Sequence, residues 1–220
     1  MATQILAVQP RRQDLRTSTT EDWTDALPLY RAGPAAVVAG AQNVGNGALT
    51  VSAVQPYTAV DPHVVTVSSA GDLAIYTVTG PEGVITGRGV AGTVTQAGGL
   101  TLTLTSGSVP FAIGDTFAVQ PTPVLINDTG FTYLLQVRAS QMSPVVVLEA
   151  MSHPPAGVTP TIIAGNGTGV PTLLVPYTLM APDRFPPMPY VYEMLVIADG
   201  RRKTSHFGNL THFAGVAYLP

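Results

Sequence analysis

Glycine and proline recur so often in this chain that they limit what it can fold into. Its 220 residues include 22 Gly and 20 Pro, spread without a collagen-like period, so that nearly every window of about a dozen residues is interrupted. A helix interior tolerates neither residue well, and no segment shows a helical period. The stretches between are rich in Thr, Val, Ile and Tyr, which favour strands. The sequence therefore predicts an all-β protein.

Charge and strand length divide the chain into three parts. Residues 1–31 are comparatively rich in charge, and we expect the arm before about residue 20 to be extended or to be ordered only by a partner. Residues 32–122 are nearly uncharged and hold enough short strand patterns for a small sandwich or barrel. Residues 123–220 resume with longer strands, and Asp199-Gly200 predicts a hairpin turn because that pair supplies the positive φ such turns need.

Two alternating stretches also predict which side chains share a face. Residues 100–105 alternate strictly between Leu and Thr, and residues 190–197 alternate less regularly. Successive side chains of a strand point to opposite faces, so every second residue lies on one side. The residues expected to share a face are Leu100, Leu102 and Leu104 in the first stretch, and Tyr190, Tyr192, Met194 and Val196 in the second.

Composition excludes several classes of protein. Only 10% of the residues are charged, against roughly 25% in an average globular protein, which predicts a weakly hydrated surface suited to cover by neighbouring subunits. A net charge of −3 argues against a nucleic-acid binder, which would carry a basic face. The absence of Cys excludes disulfides, thiolate metal sites and cysteine nucleophiles.

The sequence gives no sign of export or membrane insertion. Residues 1–6 lack the basic segment that precedes the apolar core of a secretory signal. The longest apolar runs fall far short of the roughly 20 residues that span a bilayer. We therefore expect a protein made and assembled in the cytoplasm, with no membrane partner.

Four segments that flank the middle block resemble, in their order, the immunoglobulin-like β-domain of phage tail and baseplate proteins. They are WTDALPL at 23–29, INDTGFTYLLQVRAS at 126–140, SPVVVLEA at 143–150, and MPYVYEMLVIADGR at 188–201. In that family the strand matching 131–140 follows closely on an earlier one bearing a Trp and an acidic residue. Here Trp23 lies far upstream, which implies that a whole domain separates two segments that belong together. The resemblance implies that residues 23–30 are the partner of 131–140.

The middle block is similar to another phage element. The segments 45–51, 77–83, 98–102 and 111–117 follow the order of the β-repeat in phage head decoration and other virion surface proteins. The two resemblances together imply an immunoglobulin-like β-sandwich (1–31 with 123–220) into which a second small β-domain (32–122) is inserted. Insertion is easy where strand ends meet at an exposed loop.

The function implied is that of a non-enzymatic bacteriophage virion protein in the tail, baseplate or fibre attachment. It would dock to other virion proteins and to copies of itself, with no cofactor and no nucleic acid. One alternative is a capsid head decoration protein. Another is a host receptor-binding or glycan-binding module, although nothing in the sequence supports a glycan partner. An enzyme such as a glycan depolymerase is the remaining alternative.

Four residues are candidates for an interface. Trp23 belongs either to the core of the flanking domain or, as an aromatic anchor, to a contact with a neighbour. Arg201, Arg202 and Lys203 form the one basic run, which suits either a solvated hairpin or an ion-pair contact with a neighbouring subunit.

The other polar residues predict no catalytic, cofactor or metal site. We expect the four histidines to lie at the surface or in an interface, and in a straight strand His206 and His212 would stand roughly 20 Å apart. Most carboxylates lie beside Gly or Pro, where Asp caps its own turn. The Gly-rich segment 165–169 is followed by no Lys and predicts a loop that does not bind phosphate. The histidines are His63, His153, His206 and His212.

Overall fold

The computed structural model describes residues 7–215, and strands dominate it. The prediction of an all-β fold is confirmed. A 3-10 turn at Tyr177–Leu179 accompanies the strands. In chain order the strands are β1 (Arg11–Arg12), β2 (Leu15–Ser18), β3 (Tyr30–Ala39), β4 (Ala48–Val54), β5 (His63–Val67), β6 (Ile75–Thr79), β7 (Ile85–Val90), β8 (Val94–Ala97), β9 (Leu100–Thr105), β10 (Thr116–Leu125), β11 (Thr132–Arg138), β12 (Leu148–Met151), β13 (Ile162–Ile163), β14 (Thr172–Leu173), β15 (Pro189–Ala198) and β16 (Arg201–Phe213). No helix among residues 7–215 is long and apolar enough to cross a bilayer.

The chain divides into two compact units. Residues up to Tyr30 join those from Leu125 onward in one unit, called here the flanking unit. Arg31–Val124 form the other, the middle unit. The sequence placed these boundaries after residues 31 and 122. Each unit has a hydrophobic core of its own, with Trp23 in the core of the flanking unit.

The flanking unit is built on a six-stranded sheet in the order β1-β16-β15-β11-β12, with β2 also paired to β16. The central pairs are antiparallel, whereas β1 and β2 run parallel to β16. The turn between β15 and β16 has φ of 49° at Asp199 and 73° at Gly200, as predicted for this hairpin. The face of β15 that carries Tyr190, Tyr192, Met194 and Val196 is buried, which confirms the predicted alternation.

An irregular layer covers that buried face. The backbone of residues 23–29 bonds to that of residues 169–175, with the amide of Trp23 donating to the Val175 carbonyl at 2.8 Å and the amide of Leu27 donating to Pro171 at 2.9 Å. The expected partnership of residues 23–30 with 131–140 is therefore not a strand pairing, because β12 and β15 occupy the two sides of β11. Trp23 and Tyr133 do share one core, so the two segments meet through side-chain packing instead.

Of the two alternatives for the N-terminal arm, the structure agrees with an extended chain, since β1 and β2 lie in it. Residues 7–20 do not need a partner for order, because β1 and β2 pair with β16 of the same chain. Val8 is 0% exposed and Leu15 is 5% exposed, so the arm buries apolar side chains. The Asp14 carboxylate accepts a hydrogen bond from the amide of Asn209 at 2.9 Å. Residues 1–6 of the expected arm lie outside the described residues.

The middle unit is a β-sandwich of two sheets. A five-stranded sheet has the order β3-β10-β5-β6-β7, and a three-stranded sheet has the order β4-β9-β8. Both contribute to one core, in which Leu100, Leu102 and Leu104 share the buried face of β9 as predicted. Gly89 leaves room for the ring of Tyr76, its partner on the neighbouring strand of the same sheet, because a Cβ at Gly89 would lie 2.4 Å from that ring.

Candidate docking surfaces

One face of the five-stranded sheet of the middle unit is uncovered and nearly uncharged. Strand alternation sends Val65, Tyr76 and Val78 into the core, so their neighbours in sequence point outward. The registers Thr66↔Thr77↔Arg88 and Ile75↔Val90 then align the outward residues in rows across three strands. We call this surface the open face, and its residues are Val64, Thr66, Ile75, Thr77, Arg88 and Val90.

Several apolar side chains of the open face are exposed to solvent. Val64 is 40% exposed, Ile75 is 45% exposed and Val90 is 37% exposed. Leu73, just before β6, is 76% exposed. Arg88 is the one charged member of the open face. Ile75 and Val90 are neighbours on adjacent strands, and the row of Thr66, Thr77 and Arg88 separates them from Val64. Exposed apolar residues that lie together mark interaction sites more often than scattered single ones do.

A second surface is a groove in the flanking unit, beside β12. Its volume is about 560 Å³, and proline, valine, leucine and methionine side chains form most of its lining. Two carboxylates, those of Asp22 and Glu149, also line it, whereas its lining contains no basic residue. Both carboxylates have neutral partners: Asp22 accepts from the amide of Tyr177 at 2.7 Å, and Glu149 accepts from the Gln136 amide group at 2.8 Å. We call this surface the acidic groove.

The predicted basic residues lie together at the start of β16. Arg201 and Arg202 are exposed, and Lys203 is half-buried, so that burial lowers the pKa of its ammonium group. Among residues 7–215 the structure contains one ion pair, between Arg12 and Asp14. The positive charges of Arg201 and Arg202 are thus not neutralised by an ion pair within the described chain.

Trp23 is not an interface residue. Its side chain is 2% exposed and belongs to the core of the flanking unit. Its indole Nε1 donates to the Asp25 carboxylate at 2.7 Å, which satisfies the only polar atom of the ring. Of the two interpretations that the sequence left open, the core position is the correct one.

Three of the four histidines are buried, contrary to expectation. His63, His206 and His212 are each at most 2% exposed, whereas His153 is exposed. Burial, followed by the nearby charge of Arg11, lowers the pKa of His206 to about 4. No group of three or more potential metal ligands is present among the residues that the structure describes.

Sequence reasoning missed the role of Asp128. Its carboxylate, 1% exposed, accepts hydrogen bonds from the Tyr133 hydroxyl at 2.5 Å and from the amides of Gly167 and Gly169 at 2.6 and 3.0 Å. Burial opposes ionisation, but these donors prevail and lower the pKa of Asp128. The Gly-rich loop 165–169 is therefore folded around a carboxylate. The one available signal was a lone Asp directly before a Thr-Gly turn.

Asp115 has a similar role in the middle unit. This carboxylate is 2% exposed and accepts hydrogen bonds from the amides of Val44, Gly45 and Ala112 at 2.8 to 3.0 Å. Burial again opposes ionisation, and the three amides together lower the pKa of Asp115. The sequence predicted that turn chemistry explains the carboxylates, and at Asp115 the turn is joined to a segment far away in sequence.

Comparison with known proteins gives little further information. No protein-family model matches the chain, and no curated protein matches it significantly. Two crystal structures of FlgL from Xanthomonas campestris, in space groups H3 and C2, are similar to part of it, with 18% and 17% sequence identity. They cover 46% and 49% of this chain and 33% of the FlgL chain, each with a TM-score of 0.33. The chain thus spans about a third of FlgL, and so low a TM-score supports no conclusion about function.

Proposed function

We propose that this protein is a non-enzymatic structural component of a bacteriophage virion, placed in the tail, baseplate or fibre attachment. It would work by docking to other virion proteins and to copies of itself. The observation that carries the proposal is the open face, a sheet surface that exposes Val64, Ile75 and Val90 and carries one charged residue, on a weakly charged chain. Association would remove its side chains from water, at roughly 25 cal/mol per Å² of apolar surface buried.

The division into two units also supports the proposal. The resemblance of residues 23–29, 126–140, 143–150 and 188–201 to the phage tail and baseplate domain implies a β-domain interrupted by another. A middle unit with its own core, between two parts of a flanking unit, is the arrangement expected of such an insertion.

The buried carboxylates favour a structural role over catalysis. General acid–base chemistry needs a carboxyl group that can reach substrate and exchange a proton near the working pH. Asp115 and Asp128 instead accept several hydrogen bonds each from their own chain, and both pKa values are lowered. These carboxylates hold loops in place through their hydrogen bonds.

The proposal is tested by the protein content of purified phage particles. We expect mass spectrometry to find the chain in particles at a fixed ratio to the major tail protein. Ile75→Glu should fold, because Ile75 is half exposed, yet it should be incorporated poorly because a charge would be buried in the contact. Thr50→Glu, at an exposed position of β4 away from the open face, is the matched control. Absence from particles, or equal incorporation of both variants, would contradict the proposal.

A head decoration protein is the second candidate. The resemblance of the middle block to the β-repeat of head decoration proteins favours it, and the open face would then lie against the capsid lattice. Immunogold labelling of intact particles separates the two candidates, since gold at the tail supports the first and gold over the head supports the second.

A further inference from the structure

Opposite charges lie at opposite edges of the six-stranded sheet. The acidic groove lies beside β12, which forms one edge and has β11 as its ladder partner. The basic hairpin lies on β16, toward the other edge. Along the groove the carboxylates are those of Asp22 and Glu149; on the hairpin the exposed cations are Arg201 and Arg202.

Among residues 7–215, the pairing of β16 with β1 and β2 lies beyond its basic end. β1 pairs with β16 only at His206 and Phe207, and β2 pairs with it only from Leu210 to Phe213. On its other side the start of β16 is paired with β15, from Arg201 with Ala198 to Thr204 with Leu195.

One copy cannot bring these two features together. The strands β15 and β11 separate β16 from β12, and at about 4.8 Å per strand β16 and β12 lie roughly 14 Å apart. A second copy, however, can present its basic hairpin to the groove of the first. The two contacting surfaces differ, so such an interface is heterologous and each copy keeps one groove and one hairpin available.

We propose that the basic hairpin of one copy docks in the acidic groove of the next, so that the chain associates head to tail. Arg201 and Arg202 then face Asp22 and Glu149, and the hairpin covers the apolar floor formed by residues such as Val158 and Leu174. The groove, at about 560 Å³, is as large as many ligand sites. This inference rests on the proposed docking function and names its partner and surfaces.

Sedimentation velocity of the purified full-length protein tests the inference without any phage particle. We expect concentration-dependent association at about 50 mM salt that weakens on the order of tenfold or more by about 0.5 M, because salt screens the charge pairs. Arg202→Glu and Glu149→Lys should each weaken association by a similar factor. Their matched controls are Arg184→Glu and Glu82→Lys, exposed positions with the same charge changes.

A mixture gives the sharpest outcome. Arg202→Glu keeps an intact groove and Glu149→Lys keeps an intact hairpin, and the two reversed charges are again opposite in sign, so an equimolar mixture should associate more strongly than either variant alone. A monomer at every concentration, association unaffected by both variants, or a mixture that associates no more strongly than either variant alone would overturn the head-to-tail contact. Any of these results would leave the virion role intact, since that role is tested by the content of particles.

Discussion

Removing the Asp128 carboxylate should destabilise the flanking unit strongly. Three donors point at this buried group: the Tyr133 hydroxyl and the amides of Gly167 and Gly169. In Asp128→Ala all three lose their partner, and each unsatisfied buried donor costs about 1–3 kcal/mol. Since the loop can relax toward water, we expect a loss of about 4 kcal/mol in the free energy of unfolding. Asp128→Asn keeps an acceptor oxygen and should lose about 2 kcal/mol, mainly the contribution of the charge.

Urea unfolding followed by fluorescence measures this loss, because the single Trp of the chain, Trp23, lies in the core of the same unit. Asn127→Ala is the matched control: its side chain is exposed and accepts one hydrogen bond, from the amide of Thr129, so it should cost less than about 1 kcal/mol. If Asp128→Ala changed the free energy of unfolding by no more than Asn127→Ala, the carboxylate would not anchor the loop.

Three further predictions concern stability. The pKa of His206 is about 4 in the folded protein and about 6.5 in the unfolded chain, so the unfolded chain takes up the proton first as the pH drops. The free energy of unfolding should therefore fall by up to about 3 kcal/mol between pH 7 and pH 4. This fall should be smaller in His206→Gln, and an equal fall in that variant would show that another group causes it. Gly89→Ala should lower the free energy of unfolding by more than about 2 kcal/mol, because the added Cβ would overlap the Tyr76 ring. An unchanged thermal unfolding temperature would refute the close contact between Gly89 and Tyr76. Leu102 is fully buried in the core of the middle unit, so Leu102→Ala should lower the free energy of unfolding by about 2–5 kcal/mol. Amide hydrogen exchange in β9 that stays as slow as in the unchanged protein would contradict this.

Sequence predicted the fold best where a strand alternates and one face is buried. The Leu-Thr alternation of β9 and the alternation along β15 follow from the two-residue period of a strand, which needs no knowledge of the partner strand. The turn at Asp199-Gly200 was equally local. These elements could be assigned because their physical cause lies within a few residues.

Other elements depend on contacts distant in sequence, and the sequence did not reveal them. β3 contains Gly33 and Pro34, two residue types that favour turns. Pairing with β10 in the five-stranded sheet outweighs this preference for a turn. The arm at β1 and β2 is ordered by parallel pairing with β16 near the other end of the sequence. The side chain of Asp128 likewise finds its amide donors in a distant loop.

The candidate surfaces likewise include one that was predictable from the sequence and one that was not. The basic run at Arg201–Lys203 was visible directly, whereas the acidic groove assembles Asp22, Glu149 and Leu174 from three separated segments. Trp23 could not be assigned from sequence because a lone aromatic residue suits a core and an interface equally well.

A cryo-electron microscopy reconstruction of the purified phage particle tests the docking role most directly. We predict that density for both units of the chain lies in the tail or baseplate, with the open face around Ile75 covered by a neighbouring protein or copy. Density for the chain with that face turned to solvent, or particles in which the chain is absent, would contradict it.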